Sequence, residues 1–341
     1  MKLVKRQLNH FNILWTNNFI PGKISFITPV YSKKQKTIKS IIGKIFDEYS
    51  HMDLEYLIVN NGISKDIFND PFFMNKNIRV LHSNKNLGAS WGRNYGALHS
   101  SGEYLVFLDS DVLRLTPDCI QSMKDILTEN VDIGCIGGQI IEHTEFEQTL
   151  HMGTFADHDF VNRKYLYNLV DDIYCNTSCI MVNRKIFGKI NGFTDYIEYM
   201  HDDVDFGFKI NAIGLRNVVD QRCLSFHPIM PLSMPRENLF MMIKNSMIFY
   251  FINYPLMIFL KKIQSTIFKT RKIKHPLDNN STNKTYNNNK KNRALEKIKF
   301  LFCLFQAILL FCMNIKSLIK LRNERLALLK SFNTQIHNTN I

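Results

Sequence analysis

The chain has 341 residues, 45% hydrophobic and 12% aromatic, which supports a buried core in one large domain or two smaller ones and excludes collagen-like, repeat-array and wholly disordered classes. Its net charge of +13 is unevenly placed, because residues 261–341 carry 17 of the 43 Lys and Arg but only 3 of the 30 Asp and Glu. A nearly neutral front joined to a basic tail beside apolar segments makes an anionic surface the tail's natural partner.

Residues 1–22 begin basic like a signal peptide, but Asn9, Asn12, Asn17 and Asn18 interrupt any apolar region and no small-residue cleavage site follows. The stretch reads as a non-cleaved leader. Ile24 to Val30 is a β-branched apolar run, the signature of a buried strand. Ile38, Ile41, Ile42 and Ile45 then fall at helical spacing. Glu55 to Val59 predicts a second strand that stops at the turn sequence Asn60-Asn61-Gly62. Ile78 to Leu81 predicts a third, Ala89 to His99 a helix, and Tyr104 to Leu108 a fourth strand. Strands alternating with helices predict an α/β fold, a mostly parallel sheet flanked by helices. Beyond Ile133 the pattern loosens: Tyr174 to Val182 reads as a strand, and Arg184 to Ile190 and Asp202 to Ile213 as helices. The expected organisation is a catalytic domain over 23–235, an apolar helical segment over 236–269, an Asn/Lys-rich linker over 270–292 and a basic helical extension over 293–341.

In parallel sheets the ligand crevice lies at the carboxyl ends of the strands. Two carboxylates, Asp109 and Asp111, leave the sheet there, directly after Tyr104 to Leu108. Hard divalent cations take oxygen ligands, and Mg²⁺ uses one or two carboxylates with substrate phosphates. Asp202, Asp203 and Asp205 open a second acidic segment. A helix N-terminus favours one such charge, but three carboxylates within four positions repel one another, and a carboxylate beside a hydroxyl can act as general base. The segment from Asn84 to Asn94 enters a helix through Gly88 and carries Arg93, whose planar fork suits phosphate.

Together SFITPVYS, LIVNNG, NKNLGASWGRN, YLVFLDSDV, CIMVNRKIFGKINGF and HDDVDFGFKINAIG resemble, in order over residues 23–230, the family 2 glycosyltransferases of GT-A fold. Among these the layout is most similar to rhamnosyltransferase-like bacterial enzymes. The resemblance implies a Rossmann-like sheet and transfer from a nucleotide-sugar (UDP-, dTDP- or GDP-linked) to a glycan or lipid-linked acceptor in surface-polysaccharide assembly. It implies a donor site at Thr28, Pro29, Tyr31, Asn60, Arg93, Asp109 and Ser110. It implies a Mg²⁺ or Mn²⁺ site at Asp109, Asp111 and His227, and a catalytic base at Asp203 with Asp202 and Asp205 on the acceptor side. Asn60 stands where the family usually has Asp, and His201-Asp202 where it usually has Gly-Glu. A catalytically inactive nucleotide-binding or scaffold protein of the same fold is the alternative.

Residues 246–260 and 300–315 are apolar, aromatic and flanked by lysines, yet each is shorter than the roughly 20 residues a spanning helix needs. They predict in-plane attachment at the inner face of the cytoplasmic membrane, with burial against the domain or a homodimer partner, and true spanning, as the other outcomes. No nucleic-acid-binding pattern accompanies the basic tail. Seven cysteines lack zinc-site spacing and are expected to be reduced thiols.

Overall fold

The computed structural model describes residues 19–31, 35–143, 148–151, 165–166, 169–172, 174–228, 236–269 and 283–338. They fall into two compact units, an α/β unit of residues up to 198 with 202–228 and 332–338, and a helical unit of residues 236–331 together with Tyr199–His201. The leader and much of the expected linker lie outside the described residues.

In the α/β unit, β1 (Ile20–Val30), α1 (Gln35–Glu48), β2 (Leu54–Asn61), β3 (Ile78–Ser83), α2 (Ala89–His99) and β4 (Gly102–Leu108) are the elements the apolar runs predict. They are followed by β5 (Arg114–Leu115), α3 (Cys119–Glu129), β6 (Ile133–His143), β7 (Gln148–His151), β8 (Tyr165–Leu166), β9 (Leu169–Asp172), β10 (Cys179–Asn183), α4 (Arg184–Lys189), α5 (Asp202–Ala212) and β11 (Arg216–Pro228). The sheet runs β3-β2-β1-β4-β10-β6-β11-β9-β8, with β5 paired to β11 and β7 to β6.

Strands β3, β2, β1 and β4 are parallel, and Phe26 at the centre of β1 faces Tyr56 in β2 and Val106 in β4. Beyond β4 the sheet is mixed: β10 enters antiparallel between β4 and β6, whereas β6 and β11 run parallel. The apolar runs cannot report strand direction, since a strand covered on both faces is apolar in either sense. The stretch Tyr174 to Ser178, expected as strand, precedes β10 as irregular chain.

Helix α1 buries Ile38, Ile41, Ile42 and Ile45 in the same cluster as Phe26, Ile58 and Val106. Helix α2 lies close on the sheet through its glycines: a Cβ on Gly96 would overlap Ile27 Cγ2 and stand 3.1 Å from Val59 Cγ2. The expectation of reduced thiols throughout is corrected at one pair. Cys119 opens α3 and Cys223 sits in the irregular part of β11, and with Cα atoms 4.7 Å apart they form a disulfide. Their separation of 104 residues hides that proximity from the sequence.

The helical unit is built from α6 (Arg236–Asn253), α7 (Leu256–Lys269), α8 (Asn283–Met313) and α9 (Ile315–Asn338). Pro255 cannot continue α6 and splits the apolar segment into two helices. Helix α6 packs Ile243 and Met247 against Cys303, Leu304 and Ala307 of α8. Arg322 donates to the carbonyl of Tyr254 at 2.7 Å, and Arg325 to Asn253 Oδ1 at 2.7 Å, which satisfies the end of α6. Helix α8 starts at Asn283, inside the stretch expected as linker.

Because α2 touches the sheet without room for a methyl group, Gly96→Ala is expected to destabilise the protein by about 1–3 kcal/mol. Chemical denaturation checks this, and a midpoint equal to that of the parent would show that the contact yields freely.

Candidate active site

The site begins where β4 ends. Asp109 leaves the sheet edge with its backbone N–H donated to Ser178 O at 3.1 Å, and Val112 N–H closes the turn onto Asp109 O at 3.3 Å. On the other side, the chain enters α2 through Gly88, whose φ of 89° suits glycine. A Cβ there would stand 2.8 Å from the Glu198 carbonyl oxygen.

Helix α2 then grips the chain that leads to α5. Ala89 N–H donates to Glu198 O at 2.7 Å, Ser90 Oγ to Ile197 O at 2.5 Å, and the Asn94 amide exchanges two hydrogen bonds with the Phe193 backbone, at 2.9 and 2.8 Å. The same helix carries Arg93. Its guanidinium is 3% exposed and donates to Asp109 Oδ1 at 2.8 Å and to Asp202 Oδ2. The two acidic segments, far apart in the sequence, therefore meet on one buried cation.

Asp203 sits half-buried beside this pair, and its Oδ1 accepts the Val204 N–H at 2.8 Å. Burial and the neighbouring charge of Asp202 push its carboxyl up to about 7, against the pull of Arg93. Burial also raises Asp109, with Arg93 and His227 opposing and Asp111 adding to the rise.

Asp109, Asp111 and His227 each present a ligand atom within 4.8 Å of the others. His227 Nδ1 donates to the Pro228 carbonyl at 2.8 Å, while Nε2 lies 3.1 Å from Asp111 Oδ1. That carbonyl bond fixes the ring, and in the neutral form it leaves the Nε2 lone pair directed at the carboxylates, the arrangement metal-bound imidazoles use. Burial lowers the His227 pKa, but the hydrogen bond and charge of Asp111 outweigh it and the net shift is upward. Two carboxylate oxygens and one imidazole suit a hard or borderline divalent cation, so the residues fit such an ion.

Other expected site residues are placed differently. Thr28 is fully buried and its hydroxyl is spent on Tyr56 OH at 2.8 Å, so it supports the sheet rather than facing a nucleotide. Pro29 is packed beneath Gly92, Ser110 is buried, and Tyr31 stands exposed at the end of β1. Asn60 is also fully buried; its amide closes the turn onto the Ile63 backbone at 2.9 Å in both directions and contacts His82 Nδ1 at 3.0 Å. Asp202 turns inward to Arg93, and Asp205 is fully buried and accepts the Thr194 hydroxyl at 2.5 Å. Both brace the segment instead of facing an acceptor. Sequence reasoning missed Asn61, whose side chain clamps the Gly88 loop through Leu87 N and Gly88 O at 2.8 and 2.9 Å. It also missed Asn94, and the Asn pair that ends β2 is the one signal that could have flagged Asn61.

Residues 25–191 match the family model described as Glycosyl transferase family 2. They are a family 2 glycosyltransferase domain. A Rickettsia bellii protein described as an uncharacterized glycosyltransferase is 31% identical over 141 residues, which cover 41% of this chain and 20% of that protein. The O-antigen biosynthesis protein RfbC of Myxococcus xanthus is 20% identical over 229 residues, covering 60% of this chain and 17% of RfbC. The chain thus spans about one fifth of the length of these relatives. In fold, the glycosyltransferase domain is similar to GalNAc-T7, crystallised with UDP, GalNAc and Mn²⁺, at a TM-score of 0.58 and 10% identity over 76% of this chain and 53% of that one. It is also similar to S. aureus TarS, at a TM-score of 0.50 and 17% identity over 74% and 46%. The mixed sheet with flanking helices is the GT-A fold.

If Asp111 and His227 are cation ligands, Asp111→Asn and His227→Ala each weaken Mn²⁺ binding by at least about tenfold, while Asp203→Asn leaves it within about twofold. Calorimetric titration with Mn²⁺ alone checks this, and parental affinity in Asp111→Asn would remove the site.

Proposed function

We propose that this glycosyltransferase domain moves a sugar from a nucleotide-diphosphate donor to a hydroxyl of a glycan or lipid-linked acceptor, with inversion, in surface-polysaccharide assembly. The observation that carries the reading is Arg93, which holds Asp109 and Asp202 on one guanidinium and so sets Asp203 beside the expected diphosphate site. The O-antigen role in the name of the Myxococcus relative favours a surface glycan as product.

Asp203 has the raised proton affinity that a base working near neutrality needs. Its carboxylate takes the proton from the acceptor hydroxyl while that oxygen bonds to the anomeric carbon. The bond from that carbon to the diphosphate breaks, and the nucleoside diphosphate leaves with the electron pair. Asp109, Asp111 and His227 would hold Mg²⁺ or Mn²⁺, which supplies charge neutralisation for the leaving diphosphate. Asp109, Tyr31 and the 60–63 turn line the donor end, and UDP-, dTDP- and GDP-sugars are the candidate donors.

Membrane attachment belongs to the same reading. Helix α8 is apolar on two faces: Cys303, Leu304, Ala307 and Leu310 are buried, while Leu301, Phe302, Phe305, Ile308, Leu309 and Met313 are exposed at helical spacing. On α7, Leu256, Met257 and Leu260 are exposed too. Among the described residues no single helix is long and apolar enough to cross a membrane, and α8 and α9 together pass on length and composition only as a pair bent by 76°. An in-plane seat on an anionic leaflet satisfies both the apolar stripe and the exposed Lys261, Lys316 and Lys320. The cytoplasmic leaflet carries that charge.

Asp203→Asn is expected to keep donor binding and lose transfer by about 10²–10⁴-fold; near-normal turnover would reject the assignment. Because only the deprotonated carboxyl works as base, kcat/KM falls as pH drops through about 7, where an ordinary aspartate would hold activity down to about 4. EDTA abolishes turnover and Mn²⁺ or Mg²⁺ restores it. For the membrane seat, Phe302→Ser with Phe305→Ser lowers flotation with phosphatidylglycerol vesicles at least about tenfold. Unchanged flotation, or a parent that floats no better than a soluble control, would exclude that face.

A further inference from the structure

The helical unit carries a half-open pocket of about 200 Å³ to which the transfer mechanism proposed above assigns no role. Helix α6 contributes Ile243 and Met247, α7 contributes Phe259, and α8 contributes Leu304, while Lys262 and His201 bring charge or polarity to the lining. Its walls are mostly apolar, and an apolar wall without partner atoms on one side forfeits their contacts. A sugar is a poor occupant, since most of its hydroxyls would lose water without gaining partners on these walls. Part of a hydrocarbon chain fits.

Two further observations name that chain. The helices α7 and α8 that wall the pocket are the same ones that carry the exposed apolar residues, so the membrane seat proposed above would bring lipid to its mouth. The second concerns the turn that contributes His201. Met200 and His201 hold left-handed backbone, φ 60° and 68°, uncommon for residues other than glycine. The fully buried Asn245 of α6 donates to the carbonyls of Tyr199 and Met200, the latter at 3.0 Å. One helix therefore lines the cavity and also fixes the turn that runs, in the chain, straight into Asp202 and Asp203.

We propose that this cavity binds the hydrocarbon chain of a lipid-linked acceptor next to its phosphate linkage, with Lys262 as the cation for that phosphate. This deepens, and rests on, the glycosyl-transfer reading above. It makes the acceptor a lipid carrier and seats its anchor at the residue immediately before the catalytic segment. An isoprenoid and a saturated chain share the required chemistry, an apolar tail ending in an anion.

The test is calorimetric binding to the full chain without donor or metal, using geranylgeranyl phosphate, dodecyl phosphate and inorganic phosphate below micellar concentrations. Both lipid phosphates are expected to saturate and inorganic phosphate to give no signal; the tighter of the two identifies the carrier class. Met247→Trp fills the cavity from a buried position and Ser246→Phe from a half-buried one, so at least one is expected to retain the parental melting temperature. Each folded variant weakens lipid-phosphate binding tenfold or more. Lys262→Gln weakens geranylgeranyl phosphate but not geranylgeraniol. Unchanged affinity in a folded filling variant, or an equal signal from inorganic phosphate, overturns the proposal. Metal-dependent hydrolysis of the donor is measured alongside and stays at the parental rate in these variants. Absence of hydrolysis in the parent would count against the transferase reading while leaving the binding result to stand by itself.

Discussion

A guanidinium that is 3% exposed has lost most of its hydration, and the loss amounts to several kcal/mol unless anions replace it. Arg93 is placed there by the close approach of α2 to the sheet, and it is compensated by one carboxylate from each acidic segment. The rest of the site follows from that constraint. With Asp109 and Asp202 committed to the cation, Asp203 is the carboxylate left over, in a crowded and partly desolvated place. Its neighbours outweigh the help it receives from Arg93, and its proton affinity rises. The charge arithmetic thus divides labour among chemically identical side chains: two aspartates neutralise a buried cation, and a third keeps the raised proton affinity that the proposed base requires.

The same constraint explains why parts of the site were legible in the sequence and others were not. Strands β1, β2 and β4 announce themselves because burial on both faces requires continuous apolar runs. The carboxylates after β4 are legible because the chain must turn polar where it leaves the sheet. Which way a side chain points at a strand end is a different matter. Thr28 and Asn60 stand where a donor site belongs, yet Thr28 is claimed by Tyr56 across the β1–β2 pair and Asn60 by its own turn. Each finds a partner within the protein, and Thr28 and Tyr56 become neighbours only when β1 and β2 pair. Asp205, by the same logic, goes to Thr194. The Cys119–Cys223 bond is hidden for an equivalent reason, since only the pairing of β5 and α3 with β11 brings the two together.

Composition misled in one place and served in another. The Asn-rich stretch that opens α8 reads as linker because it cannot bury a core, but helix needs only backbone continuity with a well-packed partner downstream. In the apolar segment of residues 246–260, by contrast, Pro255 is legible as a break, and it separates two fates. Phe249, Phe251 and Ile252 on the α6 side are buried, whereas Leu256, Met257 and Leu260 on the α7 side face outward. A hydropathy average over the whole segment blurs residues that serve the core with residues that serve the surface.

Helix α8 shows what that separation means for function. An amphipathic surface helix carries one apolar stripe, because it has one partner. Helix α8 carries two, and α6 accounts for only one of them. Retaining a second stripe of Leu, Phe and Ile in contact with water is unfavourable by roughly 25 cal/mol per Å² of apolar surface, so the stripe is tolerable only where water is not the neighbour. Helices α7 and α8, which carry the exposed apolar residues, also line the pocket, and His201 at its edge is followed in the chain by Asp202 and Asp203. On the proposal that the acceptor is carried by a lipid, both features serve it: the exposed stripe meets the membrane and the pocket takes the chain, while transfer stays on the polar sheet edge.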